Sequence, residues 1–160
     1  MMSEDAVTRL RESADAFKNC VVALPDEVFL RTCSEWSPRD VLAHLIGWND
    51  YTITGCRQIR SGEAPFYLSD EPNDFSTVNA ASVQKYSAQD KQQLLDELQR
   101  SLQALLGFLR ALDPADWERD HGTRDEQGHP EIIRNHMEAL IADYAGHRQV
   151  IERWTQTAGG

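Results

Sequence analysis

Residues 35–48, Glu35-Trp36-Ser37-Pro38-Arg39-Asp40-Val41-Leu42-Ala43-His44-Leu45-Ile46-Gly47-Trp48, open the helix on which the fold turns. Ser37 is a cap residue, Pro38 a proline at the first helical position, and Asp40 an acidic residue able to reach back in a variant capping box. Val41, Leu45, Trp48, Thr52 and Ile59 carry the apolar pattern of this helix to about Arg60. Upstream, Val7, Leu10, Ala14, Phe17, Val21 and Leu24 recur at spacings of three and four behind Ser3, a cap residue followed by acidic Glu4 and Asp5. That first helix runs until Pro25.

Downstream, Ser61 to Asp74 carries Gly62, Pro65 and Pro72 and is predicted to be an irregular, long crossover. Helical order resumes near Ser76, and Leu94, Leu98, Leu102, Leu105, Leu109 and Leu112 mark a third helix closed by Pro114, with Ser87-Ala88-Gln89-Asp90 as its cap or a kink. After a polar loop, His121 to Gly128, and Pro130, the residues Ile133, Met137, Leu140, Tyr144, His147, Ile151 and Trp154 line one face of a fourth helix. No βαβ alternation is present, so the expected class is all-α, a four-helix bundle. Leu24-Pro25-Asp26-Glu27-Val28-Phe29 echoes Leu112-Asp113-Pro114-Ala115-Asp116-Trp117: either two helical hairpins are related, or two helix ends have each recruited Pro and Asp.

The 160 residues suit one domain, expected over 1–154, with a polar tail at 155–160 that should fray. Sixteen Lys and Arg against 26 Asp and Glu give a net charge of -10, which repels a phosphate backbone and an anionic leaflet alike, so neither nucleic acid nor membrane is an expected partner. No apolar run approaches the roughly 18 to 20 residues that span a bilayer, and the N-terminus lacks the basic-then-apolar order of a signal peptide, so the expected location is cytoplasmic. Cys20, Cys33 and Cys56 form neither a CxxC motif nor a disulfide framework.

Asp143 and His147, four apart, share one face of the fourth helix. His44 lies six residues after Pro38 and His147 seven before Trp154, offsets of ~9 Å and ~10 Å from their helix ends. Antiparallel packing of the second and fourth helices therefore sets His44 opposite the pair. Simple up-down-up-down connectivity makes those helices parallel, whereas the long crossover permits up-down-down-up. Two imidazoles and one carboxylate on facing helices suit Zn, Ni, Fe or Mn with positions left open. The competing arrangement is a satisfied core histidine at 44 with Asp143 paired to an arginine such as Arg148.

Trp48 and Tyr51 follow His44 at i+4 and i+7 and share its face, either walling a pocket beside it, with Tyr144 and Asn79 facing in, or, as is expected first of Trp48, packing the core. Tyr51 and Asn79 are the candidates for catalytic or polar ligand contacts, since a buried hydroxyl or amide needs a partner. His136, eleven residues before His147, falls about 16 Å away and out of reach of one metal ion. His121 and His129 flank the acidic loop as expected solvated histidines. Trp36, Trp117 and Trp154, near helix ends, are expected to cover the core's ends or a dimer seam. Phosphate loops, a nucleophile elbow and HExxH are absent.

Glu35 to Leu45 resembles the start of the second helix of DinB/YfiT-like metalloenzymes, where W-S, a few residues and V-L-x-H recur. Asp143-Tyr144-Ala145-Gly146-His147-Arg148-Gln149-Val150-Ile151 is similar to their closing H-x-x-x-H-x-x-x-I. Phe75-Ser76-Thr77-Val78-Asn79 resembles the W-N-x-x-N opening of the third helix in the ClbS/DfsB-like branch. The resemblance implies an up-down-down-up bundle, often a homodimer, with a divalent metal commonly held by three histidines. Asp143 stands here in place of one of them. It further implies either a metal-dependent thiol transferase or hydrolase acting on a reactive small molecule, in detoxification or self-protection, or a non-catalytic small-molecule-binding or dimeric stress-related protein without a functional metal.

Overall fold

The computed structural model describes residues 2–69 and 71–157. Four long helices, α1 (Met2–Val22), α3 (Pro38–Arg60), α5 (Lys91–Ala111) and α6 (Ile133–Thr157), enclose the core. Short α2 (Asp26–Phe29), short α4 (Ser76–Lys85) and a 3-10 turn at Pro114–Asp116 occupy the connections. Among the described residues there is no strand, only an isolated bridge between Arg124 and Pro130, so the chain is all-α as its periodicity predicts. None of its described helices is long and apolar enough to cross a membrane.

Contacts between helices fix their directions. Arg9 pairs with Glu138 and Phe17 packs on Tyr144, so α1 and α6 ascend together. Arg39 reaches the Gln89 carbonyl, Arg100 meets Asp50 at 3.1 Å and Arg57 lies over Phe108, so α3 and α5 are also parallel. Lys91 at the start of α5 donates to the carbonyl of Leu24 just beyond α1, making that pair antiparallel. His44 meets His147 while Asn49 meets Tyr144, so α3 and α6 run in opposite directions. This is the up-down-down-up order, and the crossover between α3 and α4 makes it possible.

The capping box at the start of α3 forms as its sequence predicts. The Asp40 amide donates to Ser37 Oγ and the Ser37 amide to the Asp40 carboxylate, each at 3.2 Å, an arrangement worth about 1 kcal/mol. The expected cap at Ser87–Asp90 also forms: α4 ends at Lys85, and α5 restarts where Asp90 and Gln93 make a capping box at 2.9 Å. Two boundaries differ from expectation. Ser3 lies inside the first turn of α1 rather than capping it, and its side chain falls outside the described residues. Finally, α6 begins at Ile133, three residues beyond Pro130, and stays helical through Thr157, past the point where the tail was expected to fray; residues 158–160 lie outside the description.

The echoed segments adopt like conformations. Each makes a short helical turn after a long helix and buries an aromatic ring, Phe29 in one and Trp117 in the other.

The short α4 presses on α3 because Gly47 has no side chain. A Cβ there would stand 2.0 Å from Ser82 Oγ, which in turn donates to the Tyr51 hydroxyl at 3.0 Å. Gly107 in α5, by contrast, has nothing within 4 Å of such a Cβ. Gly107→Ala is therefore expected to stabilise the fold by about 0.5–1 kcal/mol through helix propensity, whereas Gly47→Ala should destabilise it by displacing α4. Urea unfolding midpoints of the two variants should move in opposite directions; a shared direction would refute the close α3–α4 contact.

Candidate metal centre and its cavity

His44 sits two turns into α3, held almost fully buried. Trp48, one turn further on, donates its indole N–H to Asn79 Oδ1 at 2.7 Å. Because an indole nitrogen only donates, that contact identifies the oxygen of the Asn79 amide. The same oxygen lies 3.1 Å from His44 Nδ1, so the imidazole must carry its hydrogen on Nδ1 and donate it there. Nε2 is thereby the nitrogen that faces the centre, with α4, through Asn79, setting the ring's orientation.

Facing it from α6 is Asp143. One carboxylate oxygen stands 2.8 Å from His44 Nε2 and the other 3.1 Å from His147 Nε2. One ligand atom from each of the three residues falls within 4.8 Å of the others. A lone pair on Nε2 facing a carboxylate at 2.8 Å is repulsive unless a proton or a cation lies between them. The donor set of two imidazole nitrogens and a carboxylate suits a borderline divalent cation. Asp143 and His147 keep partial exposure, 38% and 25% of their side chains, which leaves an approach from the cavity.

Burial pushes the Asp143 carboxyl up, but hydrogen bonds from His147 and His44 and their charge outweigh it and hold the group well below the usual carboxylate range. Arg148, the competing partner for Asp143, instead reaches Glu152 at 3.4 Å. The indole of Trp36, just before the capping box, covers the centre with its ring 4.9 Å from His44 and 6.4 Å from His147.

These residues form one end of a cavity of about 980 Å³. Trp48, Tyr67 and Phe75 wall it with rings set edge-to-face, 4.8 Å and 5.3 Å between centroids. Tyr67 comes from the crossover; its ring seats against Gly55, where a Cβ would lie 2.6 Å away. The far end holds His136 and Glu131, with His129 and Asp125 at its rim.

Several sequence-predicted residues land elsewhere. Tyr51 does not line the cavity: it stands behind Trp48, hydrogen-bonded to Ser82, because the α3–α4 contact draws it to that side. Tyr144 also points away, fully buried in the core with its hydroxyl donating to Asn49 at 2.9 Å. Asn79 does face in, but as the partner of His44 and Trp48. His136 is remote from the metal triad, as its spacing requires, yet belongs to the same cavity. His121 is not solvated; its side chain is 8% exposed beside Asp116. None of the three cysteines lines the cavity, and burial pushes the Cys56 thiol up to about 12.

Sequence reasoning missed Trp36 and Tyr67. The Trp36 signal was present in its position one residue before a helix cap; Tyr67 lies in an aperiodic stretch that offers none.

The family profile of the mycothiol maleylpyruvate isomerase N-terminal domain matches residues 10–152. No curated protein sequence matches the chain. Solved structures of similar fold include a mycothiol-dependent maleylpyruvate isomerase, with TM-score 0.74 and 14% identity over 93% of this chain. The chain spans 60% of that protein's length. The colibactin self-resistance protein ClbS, solved with double-stranded DNA, gives TM-score 0.77 and 10% identity, covering 97% of this chain and 96% of its own. YfiT from Bacillus subtilis, described as a probable metal-dependent hydrolase with an unusual four-helix bundle topology, gives 0.75 and 18%, covering 98% and 87%.

The depressed Asp143 carboxyl has a consequence for stability. A group titrating lower in the folded than in the unfolded chain contributes stability that is complete above the unfolded value and lost as pH falls toward the folded one. The difference in urea midpoint between wild type and Asp143→Asn is thus expected to shrink as pH drops from about 4 to about 2. A difference that stays constant over that range would mean the imidazoles do not hold the carboxylate.

Proposed function

Because the chain belongs to the mycothiol maleylpyruvate isomerase N-terminal domain family, within the DinB/YfiT-like superfamily, we propose that it is a divalent-metal-dependent enzyme acting on a reactive small molecule. The reaction class is thiol transfer or hydrolysis, with detoxification as its physiological sense. The observation that carries this reading is the inward-facing Nε2 of His44, locked by Asn79 and set against Asp143 and His147 within 4.8 Å. Packing alone does not call for that arrangement, since it concentrates two bases and an acid at a cavity wall.

In the proposed enzyme His44, Asp143 and His147 would hold the cation, which would supply Lewis acidity to a thiol or water nucleophile. Asn79 fixes the tautomer and tilt of His44, as carbonyl-type acceptors do behind metal-ligating histidines. Trp36 covers the centre, and the rings of Trp48, Tyr67 and Phe75 keep water from the space beside it. Asp143 replaces an imidazole of the motif it resembles with an anionic ligand, which lowers the net charge of the loaded centre by one and favours Zn, Ni or Fe(II) over softer ions. The likeness to the solved isomerase and to YfiT supports the class of chemistry, not a substrate.

Metal analysis of untagged protein tests the reading. One equivalent of Zn, Ni or Fe per chain is expected in the wild type and none in His44→Ala. Asn79→Ala, which leaves all three ligands in place, should weaken the metal by about 10- to 100-fold. A wild type that takes up no divalent cation under titration would leave a binding protein in place of an enzyme.

A further inference from the structure

At the far end of the cavity three side chains from three segments form a hydrogen-bonded chain that the metal centre does not use. The Tyr67 hydroxyl lies 2.6 Å from His136 Nδ1, and His136 Nε2 lies 2.5 Å from Glu131 Oε2. Tyr67 is almost fully buried, and the His136 and Glu131 side chains are each 13% exposed. Burial, reinforced by Cys56 and Glu131, pushes the Tyr67 hydroxyl far up, so it keeps its hydrogen.

One protonation pattern uses every hydrogen in this chain. The Tyr67 O–H donates to Nδ1, and a neutral His136 donates from Nε2 to the Glu131 carboxylate. A charged His136 would instead turn a hydrogen on Nδ1 toward the Tyr67 oxygen and send the phenolic hydrogen out of the chain, so the neutral imidazole is the pattern in which the three groups satisfy one another. The carboxylate of Glu131 is then largely buried with only a neutral imidazole as partner, and a buried charge without a counter-charge is costly. No Lys or Arg lines the cavity among the described residues. Trp48, Tyr67 and Phe75 also line the cavity, and the face of such a ring attracts a cation.

We propose that the Glu131 end of the cavity is a recognition site for a protonated amine, so that the substrate is an elongated, amine-bearing small molecule whose reactive part meets His44, Asp143 and His147. This rests on the reading of the cavity as a substrate site and names the substrate's chemistry. Glu131 supplies the counter-charge, His136 and Tyr67 position its carboxylate, and the aromatic wall covers the alkyl or aryl portion between the two ends. His136 and His147 stand eleven residues apart on α6, a separation of about 16 Å, which defines the length the molecule must bridge.

Three probes of nearly equal shape and different charge test it: phenethylammonium, 2-phenylethanol and phenylacetate, each titrated calorimetrically into the metal-free protein. Phenethylammonium is expected to bind at least about tenfold more tightly than the alcohol, as expected for a desolvated ion pair with cation–π support, and phenylacetate not at all. Glu131→Gln should remove the preference for the ammonium, while Asp143→Asn, at the other end, should retain it. Phenylacetate binding as tightly as the ammonium, absence of ammonium binding, or ammonium binding that survives Glu131→Gln would each overturn the proposal. Loss of ammonium binding in Asp143→Asn would do so too, by placing the amine at the metal centre. Should Glu131→Gln fail to fold, the imidazole proton resonances of wild-type His136 give a second reading: they must shift on adding phenethylammonium, and a shift confined to His44 and His147 counts against the site. The experiment uses no metal, so its failure is separable from failure of the proposed metal chemistry.

Discussion

A single buried polar chain sets the registers on which the rest of the structure depends. In a core made mainly of aliphatic and aromatic side chains, the Tyr144 hydroxyl of α6 donates to Asn49 of α3, Asn49 donates to Ser101 of α5 at 3.0 Å, and Ser101 donates to the Leu98 carbonyl. All three side chains are excluded from solvent. Apolar surfaces tolerate sliding by a turn, but a buried amide left without partners costs about 1–3 kcal/mol, so this chain is satisfied in one alignment only. Asn49 is five residues after His44, and Tyr144 is the neighbour of Asp143. Aligning the first pair therefore delivers the second to the cavity wall.

The His44, Asp143 and His147 cluster is the solvent-facing consequence of that alignment. Adjacent residues on α6 divide the work: Tyr144 turns into the core, and Asp143 turns toward the cavity. On α3, Trp48 and Asn49 divide it the same way, Trp48 fixing Asn79 and through it His44, Asn49 fixing the register. The centre thus has four supports from separate segments: α3, α6, the first turn of α4 and the residue before the α3 cap. A side chain fixed by so many elements loses little further freedom when it binds a ligand, which is the meaning of preorganisation here.

The cavity also explains the long crossover beyond its role in topology. Residues 61–75 return the chain to the start of α4 and place Tyr67 between Trp48 and His136. The result is a space with bases and an acid at each end and aromatic carbon between. Its charge matches the acidic balance of the whole chain, since among the described residues its lining holds carboxylates and histidines but no Lys or Arg.

The sequence by itself determined the four long helices, because their apolar residues repeat with helical period and because Ser37, Pro38 and Asp40 mark a boundary by local hydrogen bonding alone. It also set His44, Asp143 and His147 at equal depth from their helix ends, which is arithmetic in residues and rise, but the antiparallel packing of α3 and α6 that brings them together was decided by tertiary structure. Interactions that join residues distant in sequence were decided by tertiary structure. The direction in which Tyr51 and Tyr144 point depends on what packs against them, Ser82 in one case and Asn49 in the other, and no periodicity encodes that choice. Asn79 was legible as a polar residue facing inward, but its task of fixing the His44 tautomer depends on Trp48 sharing the same oxygen. The Tyr67–His136–Glu131 chain was hidden for the same reason: an aperiodic crossover, the loop before α6 and the first turn of that helix meet only once the bundle has closed.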